Sequence, residues 1–400
     1  MTLQVTCITA SAGRMFCGAC ARDVSLARAL TELGCQVQLV PLYLPLRVDG
    51  DLPPGTTETF FGGVNVFLQQ YCGLFRHTPR LIDRVFDSPP LLRLSAKFGA
   101  STDPARLGPM TLSMLKGDEG RQRKELDRLL RFLGSGPPPD VITIANMLLS
   151  GIAPSLRDRL DTPIVCTLQG ADEFVDQIPE PHRARIHELM RRHAQIIDRF
   201  VSPSDAYAAK MAAYLDVPRD PIRTVPTGIP VEEYPLPAAR RREPYTVGYL
   251  SRVTPPKGLD LLLDAVARLA EDGREIRLKA AGQRLDRDYW NRIQEQVTER
   301  GLADRVKFCD VPDLAGKVTF LHDCSVFSVP SRKPEIRGTA ALEAMAAGLP
   351  VVLPDLGVYH EIIGLTEGGL LVPPGDTDRL ADALALLQDE PERADRIGLA

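Results

Sequence analysis

Two carboxylates, Glu335 and Glu343, stand eight residues apart on either side of Gly338. They lie between an apolar run ending at Val329 and the stretch Ala344-Met-Ala-Ala-Gly-Leu-Pro350. The pattern reads as a strand, a polar loop and a helix that begins near Gly338. Amides at a helix start have no intrahelical acceptor and carry the positive end of the dipole. Those of Gly338, Thr339 and Ala340 therefore suit a phosphate or a sugar hydroxyl. Glu335 precedes these amides and Glu343 lies in the second turn. Both can point into one crevice and accept hydrogen bonds from vicinal hydroxyls. Taken alone, the pair fits a solvated helix start equally well.

No metal site is readable. His187, Glu188 and His193 do not make a zinc-binding His-Glu-x-x-His, because a spacing of six puts the imidazoles on different helix faces. His77, His182, His322 and His360 form no cluster. Only Cys17 and Cys20, of eight cysteines, have the C-x-x-C spacing. Zinc would need about two further ligands grouped elsewhere. The pair reads as ordinary thiols near a loop, with a redox or metal role as the lesser alternative.

The elements that must carry these residues alternate short apolar runs with amphipathic stretches, twice over. In the first half, strands are expected at Leu3–Thr9, Val37–Leu42, Val64–Leu68, Asp140–Ile144, Pro163–Leu168 and Arg199–Ser202, with helices at Arg22–Leu33 and Arg121–Leu133. The second half restarts at Tyr245–Leu250 and continues through Glu275–Ala280, Val306–Cys309, Ser325–Val329 and Pro350–Leu353. Strands separated by helices of this length indicate parallel sheets with right-handed crossovers. The expected organisation is an N-terminal domain over 1–230, a proline- and charge-rich linker over 231–244, a C-terminal domain over 245–390 and a short tail over 391–400. Residues from about 71 to 116 break the alternation and read as an insertion.

At 400 residues, 44% hydrophobic and 25% charged, the chain has the composition of a globular protein too long for one core. A net charge of −4 without a run of like charges gives no case for nucleic acid. The start lacks a signal-peptide pattern, and no window reaches the ~18 apolar residues of a membrane span. A cytoplasmic, soluble protein is expected, with peripheral membrane contact left open.

The two glutamates ahead of A-M-A-A-G-L-P-V-V resemble the signature of glycosyltransferase family four (group 1), a retaining group with the two-Rossmann GT-B fold. The segment Gly248-Tyr-Leu-Ser-Arg252-Val-Thr-Pro-Pro-Lys257-Gly258 is similar to that family's G-R-L-x-x-x-K-G element, and shorter matches occur at Val201–Ser204, Val225–Pro230 and Gly368–Asp376. The resemblance implies an α/β architecture of two Rossmann-like domains with parallel sheets facing across a cleft. It also implies transfer of a sugar from a UDP-, GDP- or ADP-sugar to a saccharide, lipid or small-molecule acceptor, with no metal and no further cofactor. Glu335 would contact the transferred sugar and Glu343 the ribose. Arg252 and Lys257 would stabilise the charge growing on the departing diphosphate. Gly13, Arg14 and Gly18 would line the donor side of the first loop.

The first half departs from the family at Gln169, where a histidine is usual, and at Asn146, where histidines are common. Neither side chain is a general base, although both can hydrogen-bond a sugar hydroxyl. In such transferases the donor phosphate is held to deprotonate the acceptor, so loss of the histidine weakens the case for activity without removing it. A non-catalytic nucleotide-sugar binder, or another GT-B enzyme such as an epimerase, are the alternatives. An oxidoreductase is disfavoured, because no G-x-G-x-x-G follows either first strand.

Overall fold

The structure, a computed structural model, describes residues 2–10, 18–43, 60–61, 63–76, 78, 104–237, 243–311 and 313–400. Gly13, Arg14 and Cys17 lie outside the described residues, as do 77 and 79–103 of the expected insertion. The chain divides into two compact units, Met1–Pro226 and Thr227–Ala400.

The first unit holds β1 (Gln4–Thr9), α1 (Gly18–Glu32), β2 (Gln36–Pro41), α2 (Gly63–Tyr71), α3 (Pro104–Leu115), α4 (Arg123–Leu133), β3 (Val141–Ile144), α5 (Ala153–Leu160), β4 (Ile164–Thr167), α6 (Ala171–Val175), α7 (His182–Ala194), β5 (Arg199–Ser202), α8 (Asp205–Leu215) and β6 (Ile222–Thr224). Its six strands are all parallel, in the order β2-β1-β3-β4-β5-β6. Val5, Cys7 and Ile8 on β1 are all buried, as expected of a parallel strand covered on both faces.

One expected strand is a helix. Val64–Leu68 falls inside α2, because a short apolar run does not distinguish the two states by itself. Among the described side chains of α2 the buried ones are Val66, Gln69 and Gln70, at helical spacing. Both glutamines are held by the segment Gln122–Glu125, although Gln69 Oε1 stays buried without a partner among the described residues. Gln69 Nε2 donates to Glu125 at 2.9 Å, and Gln70 Oε1 accepts from Gln122 at 3.2 Å.

The second unit holds β7 (Tyr245–Leu250), α9 (Leu259–Glu271), β8 (Ile276–Ala281), α10 (Arg287–Glu299), β9 (Val306–Cys309), α11 (Leu314–His322), β10 (Val326–Phe327), α12 (Thr339–Ala346), β11 (Val351–Pro354), α13 (Val358–Thr366), β12 (Gly369–Val372), α14 (Thr377–Asp389) and α15 (Pro391–Leu399). Its sheet is also six-stranded and parallel, in the order β12-β11-β10-β7-β8-β9. β10 is shorter than the expected Ser325–Val329. Beyond Phe327 the Ser328 hydroxyl takes the Val352 carbonyl at 2.7 Å, and Pro330 has no N–H to continue a ladder. Tyr234, read from sequence as linker, is 4% exposed and packs in this unit's core. In α15, Ala394 and Ile397 pack against the same core.

Each sheet has one point where strand order reverses, between β1 and β3 in the first unit and between β7 and β10 in the second. In open α/β sheets, ligands bind beyond the carboxyl ends of the strands at such a reversal. No helix among the described residues is long and apolar enough to cross a membrane.

Candidate active site

In the second unit, the loops leaving β7 and β10 are pressed together by glycine. Gly258 has φ +69°, and a Cβ there would lie 2.0 Å from the Pro330 carbonyl oxygen, so no other residue fits without moving the backbone. The Arg332 amide donates to the Pro256 carbonyl at 2.8 Å. The Arg332 guanidinium forks onto both oxygens of Asp260 at 2.7 and 2.6 Å, and the Tyr289 hydroxyl donates to Asp260 at 2.7 Å. Burial opposes ionisation of Asp260, but these bonds prevail and hold its carboxyl below the usual range.

This clasp sets Lys257 beside Glu335. The Lys257 ammonium donates to Glu335 Oε1, and the Ser331 hydroxyl donates to the same oxygen at 2.9 Å. Both side chains of the ion pair are mostly buried, at 17% and 18% exposure. The Glu335 backbone is held as well. It makes a parallel bridge with Gly357, and the Val358 amide donates to its carbonyl at 2.9 Å. Tyr359 and Tyr249 are buried around it. Burial pushes both phenols well above the ordinary tyrosine range, and the Glu335 charge adds to that. Gly338, at φ +65°, opens α12, so the amides of Thr339 and Ala340 lie in the first turn.

Glu343 has a different partner. It is 9% exposed on α12 and accepts from Lys317 Nζ of α11 at 2.7 Å. The Tyr234 hydroxyl lies 3.5 Å from the same Lys317 Nζ. Burial, and then the Glu343 charge, push that phenol far up. Arg252 is exposed, and its guanidinium has no partner among the described residues. Each of the two glutamates is thus neutralised by its own lysine, while one arginine remains available.

The reversal point of the first unit is built from other chemistry. Asp23 on α1 is buried, and its Oδ2 accepts from the Thr9 hydroxyl at 2.7 Å. Arg22 Nη1 donates to Asp23 Oδ1 and to the Thr167 hydroxyl, each at 3.1 Å. Burial pushes the Asp23 carboxyl up, against the pull of Thr9 and Arg22. Gln169 donates its amide to the Ala145 carbonyl and lies 3.5 Å from Asp23. Asn146 accepts from the Leu148 amide at 2.9 Å and so caps the short 3-10 turn Met147–Ile152. Gly18 is the first residue of α1.

Sequence reasoning did not single out Lys317, Tyr234, Ser331, Arg22 or Asp23. Arg22 and Asp23 could have been found, since two opposite charges early in the helix after a first strand fall beside its carboxyl end. Lys317 carries no local signal, being one cation on a helix 26 residues before Glu343. No group of three or more His, Cys, Asp or Glu is arranged to hold a metal ion among the described residues.

Comparison with known proteins places the chain. The model of the glycosyl transferase 4-like domain matches residues 18–228, and that of the glycosyl transferases group 1 matches 232–400. The chain is 35% identical over 173 residues to a phosphatidyl-myo-inositol mannosyltransferase of Mycobacterium leprae, covering 42% of this chain and 44% of that one. It is 27% identical over 281 residues to a D-inositol 3-phosphate glycosyltransferase of Kribbella flavida, covering 65% and 66%. It is 29% identical over 383 residues to the enzyme of that name from Saccharomonospora viridis, covering 85% and 83%. The chain thus spans less than half of the first relative and about two thirds of the second. Among solved structures, sucrose-phosphate synthase from Thermosynechococcus elongatus superposes with a TM-score of 0.68 at 19% identity, covering 99% of this chain and 92% of that one. The Anabaena protein HepE in complex with UDP-glucose gives 0.64 at 17% identity, with 99% and 92% covered. The two sheets are therefore those of the GT-B fold, and the chain belongs to the group 1, family-four glycosyl transferases.

Proposed function

We propose that the protein transfers a sugar from a nucleotide-sugar donor to an acceptor hydroxyl, with retention at the anomeric carbon and without a metal. The observation that carries this reading is the second unit's reversal point. There Lys257, Glu335 and the first-turn amides of α12 belong to loops clasped at the carboxyl ends of β7 and β10. Arg252 and Lys257 would receive the diphosphate, as a forked donor and a point charge. Glu335 would accept from hydroxyls of the transferred sugar, and Glu343 from the ribose. In the step itself the bond from C1 to the diphosphate oxygen breaks and the acceptor oxygen bonds C1 on the same face. The acceptor proton passes to the departing phosphate oxygen. Charge on that phosphate peaks in the transition state, where fixed cations and amides contribute most.

The cytoplasm, where nucleotide sugars are made, is the proposed compartment. A solved protein of the same fold holds UDP-glucose, so UDP-sugars lead the donor panel, followed by GDP- and ADP-sugars. Relatives named for phosphatidyl-myo-inositol and inositol 3-phosphate put inositol lipids and inositol phosphates first among acceptors, ahead of plain saccharides. The test is nucleoside diphosphate release across this panel, with and without acceptor, and the anomeric configuration of the product read by NMR. Inversion would remove the retaining assignment.

Gln169 and Asn146 spend their side chains on the Ala145 carbonyl and the Leu148 amide. That observation favours a second reading, a nucleotide-sugar binder without turnover. Donor-dependent thermal stabilisation without product in any acceptor arm would select it.

A further inference from the structure

Glu343 raises a question of physical chemistry. A carboxylate 9% exposed on an alanine-rich helix, against an apolar core, is costly to bury unless paired. Here it is paired with Lys317, and Tyr234 stands beside the pair from a separate part of the unit. Lys317 Nζ on α11 donates to Oε1 at 2.7 Å, and the Tyr234 hydroxyl, just after the turn Val231–Glu233, stands near enough to feel the charge of the same carboxylate. Lys317 and Tyr234 also approach one another, with Lys317 Nζ 3.5 Å from the Tyr234 hydroxyl. The Tyr234 segment is tied to α11 a second time, through the His322 ring N–H and the Pro235 carbonyl at 2.8 Å. Buried ion pairs add little net stability over apolar residues of the same volume. A core that needed only filling would be served as well by leucine at 343 and methionine at 317.

We infer that Lys317 and Tyr234 are positioning residues, which hold the Glu343 carboxylate in one orientation so that its remaining lone pairs meet the ribose diol of the donor nucleotide. The inference rests on the reading of Glu343 as the ribose contact. With Oε1 committed to Lys317, the carboxylate cannot turn its full acceptor capacity inward. The pairing also keeps it fixed before any ligand arrives, so less rotamer freedom is lost on binding. Lys317 itself need not touch the nucleotide.

Calorimetry on the full chain tests this with UDP, GDP and ADP, each against its 2′,3′-dideoxy counterpart. The quantity read is the ratio of ribo to dideoxy affinity. In Glu343→Gln and in Lys317→Met this ratio should collapse by about tenfold, with dideoxy binding unchanged. Lys317→Arg should restore most of it, and Tyr234→Phe should lower it only about threefold. Lys317→Arg also serves as the folded control should Lys317→Met lose stability. A wild-type ratio in Lys317→Met, beside a collapsed one in Glu343→Gln, overturns the inference alone. Equal weakening of ribo and dideoxy ligands in Lys317→Met overturns it too, since Lys317 would then bind phosphate directly. An unchanged ratio in Glu343→Gln, or no binding of any of the three diphosphates, overturns the ribose reading and the inference with it.

Discussion

The two reversal points share a topology and differ in where their polar groups are spent. In the first unit Arg22, Asp23, Thr9, Thr167 and Gln169 bond one another and the Ala145 carbonyl across the ends of β1, β3 and β4. In the second, Lys257 and Glu335 make one ion pair, Arg252 stands exposed without a partner among the described residues, and α12 opens with a turn of amides. Groups committed to one another stabilise a fold, whereas groups left with capacity can bind. Topology marks where a site can be, and side chains decide whether one is there.

The largest effect that would break this contrast lies in the second unit. Arg252→Ala with Lys257→Ala should lower transfer by at least about a hundredfold. The melting temperature should move by less than roughly 4 °C, since neither side chain is fully buried. Unchanged affinity for UDP, GDP and ADP would end the diphosphate assignment. In the first unit the balance reverses. Asp23→Ala removes the centre of a buried network and should cost about 3 kcal/mol in urea unfolding. A stable Asp23→Ala variant with no transfer would mean the first network is itself a substrate site.

Much of this architecture was readable because parallel strands covered on both faces are written as unbroken apolar runs. Arg199–Ser202, Tyr245–Leu250 and Val306–Cys309 begin and end where expected. β6 was not anticipated, since Ile222–Thr224 is three residues long and only Ile222 is buried. Val64–Leu68 misled because the helix that contains it runs on to bury Gln69 and Gln70, polar residues beyond the apolar run. For the site, motif spacing marked Glu335 and Lys257 separately, but not that they touch across 78 positions. Gln169 was read as able to hydrogen-bond a sugar hydroxyl, and the bond of its amide to the Ala145 carbonyl had no signal in the sequence. Lys317 and Tyr234 become visible only when α11 and the segment after Thr227 are packed on α12.

A smaller effect sharpens the contrast through pH. His193 on α7 is buried, and its Nδ1 lies 3.1 Å from the Ser150 hydroxyl, within the 3-10 turn that Asn146 caps. Burial, helped by the Arg192 charge, lowers the imidazole from 6.5 to about 4. The unfolded chain therefore binds the proton first. Stability from this group is whole above about pH 6.5, falls as pH drops through the window toward about 4, and is level below it. Between pH 7 and pH 5 the loss should be about 2 kcal/mol, and His193→Asn should flatten it. Hydrogen exchange at Met147–Ile152 should quicken over that range before exchange at α12. Equal acceleration in both units would show that the acid sensitivity is not local to the first.

The smallest effect has the opposite sign to the rest. Lys257 is held by Glu335, so a diphosphate bound there would compete with that carboxylate for the ammonium. Glu335→Gln keeps the shape and can still accept from Ser331, but it removes the charge that detains Lys257. Free UDP should then bind about threefold to fivefold more tightly, the scale of one partly exposed ion pair, while sugar transfer falls. Tighter binding with slower transfer would mark Glu335 as a group whose value lies in the sugar step. The parallel change in the first unit, Asp23→Asn, also frees a cation, Arg22, yet should leave UDP affinity where it was. Weaker UDP binding in Glu335→Gln would mean the carboxylate orders Lys257 toward the phosphate instead of competing with it. The two reversal points would then differ less than their hydrogen bonds suggest, because both would use a carboxylate to aim a cation.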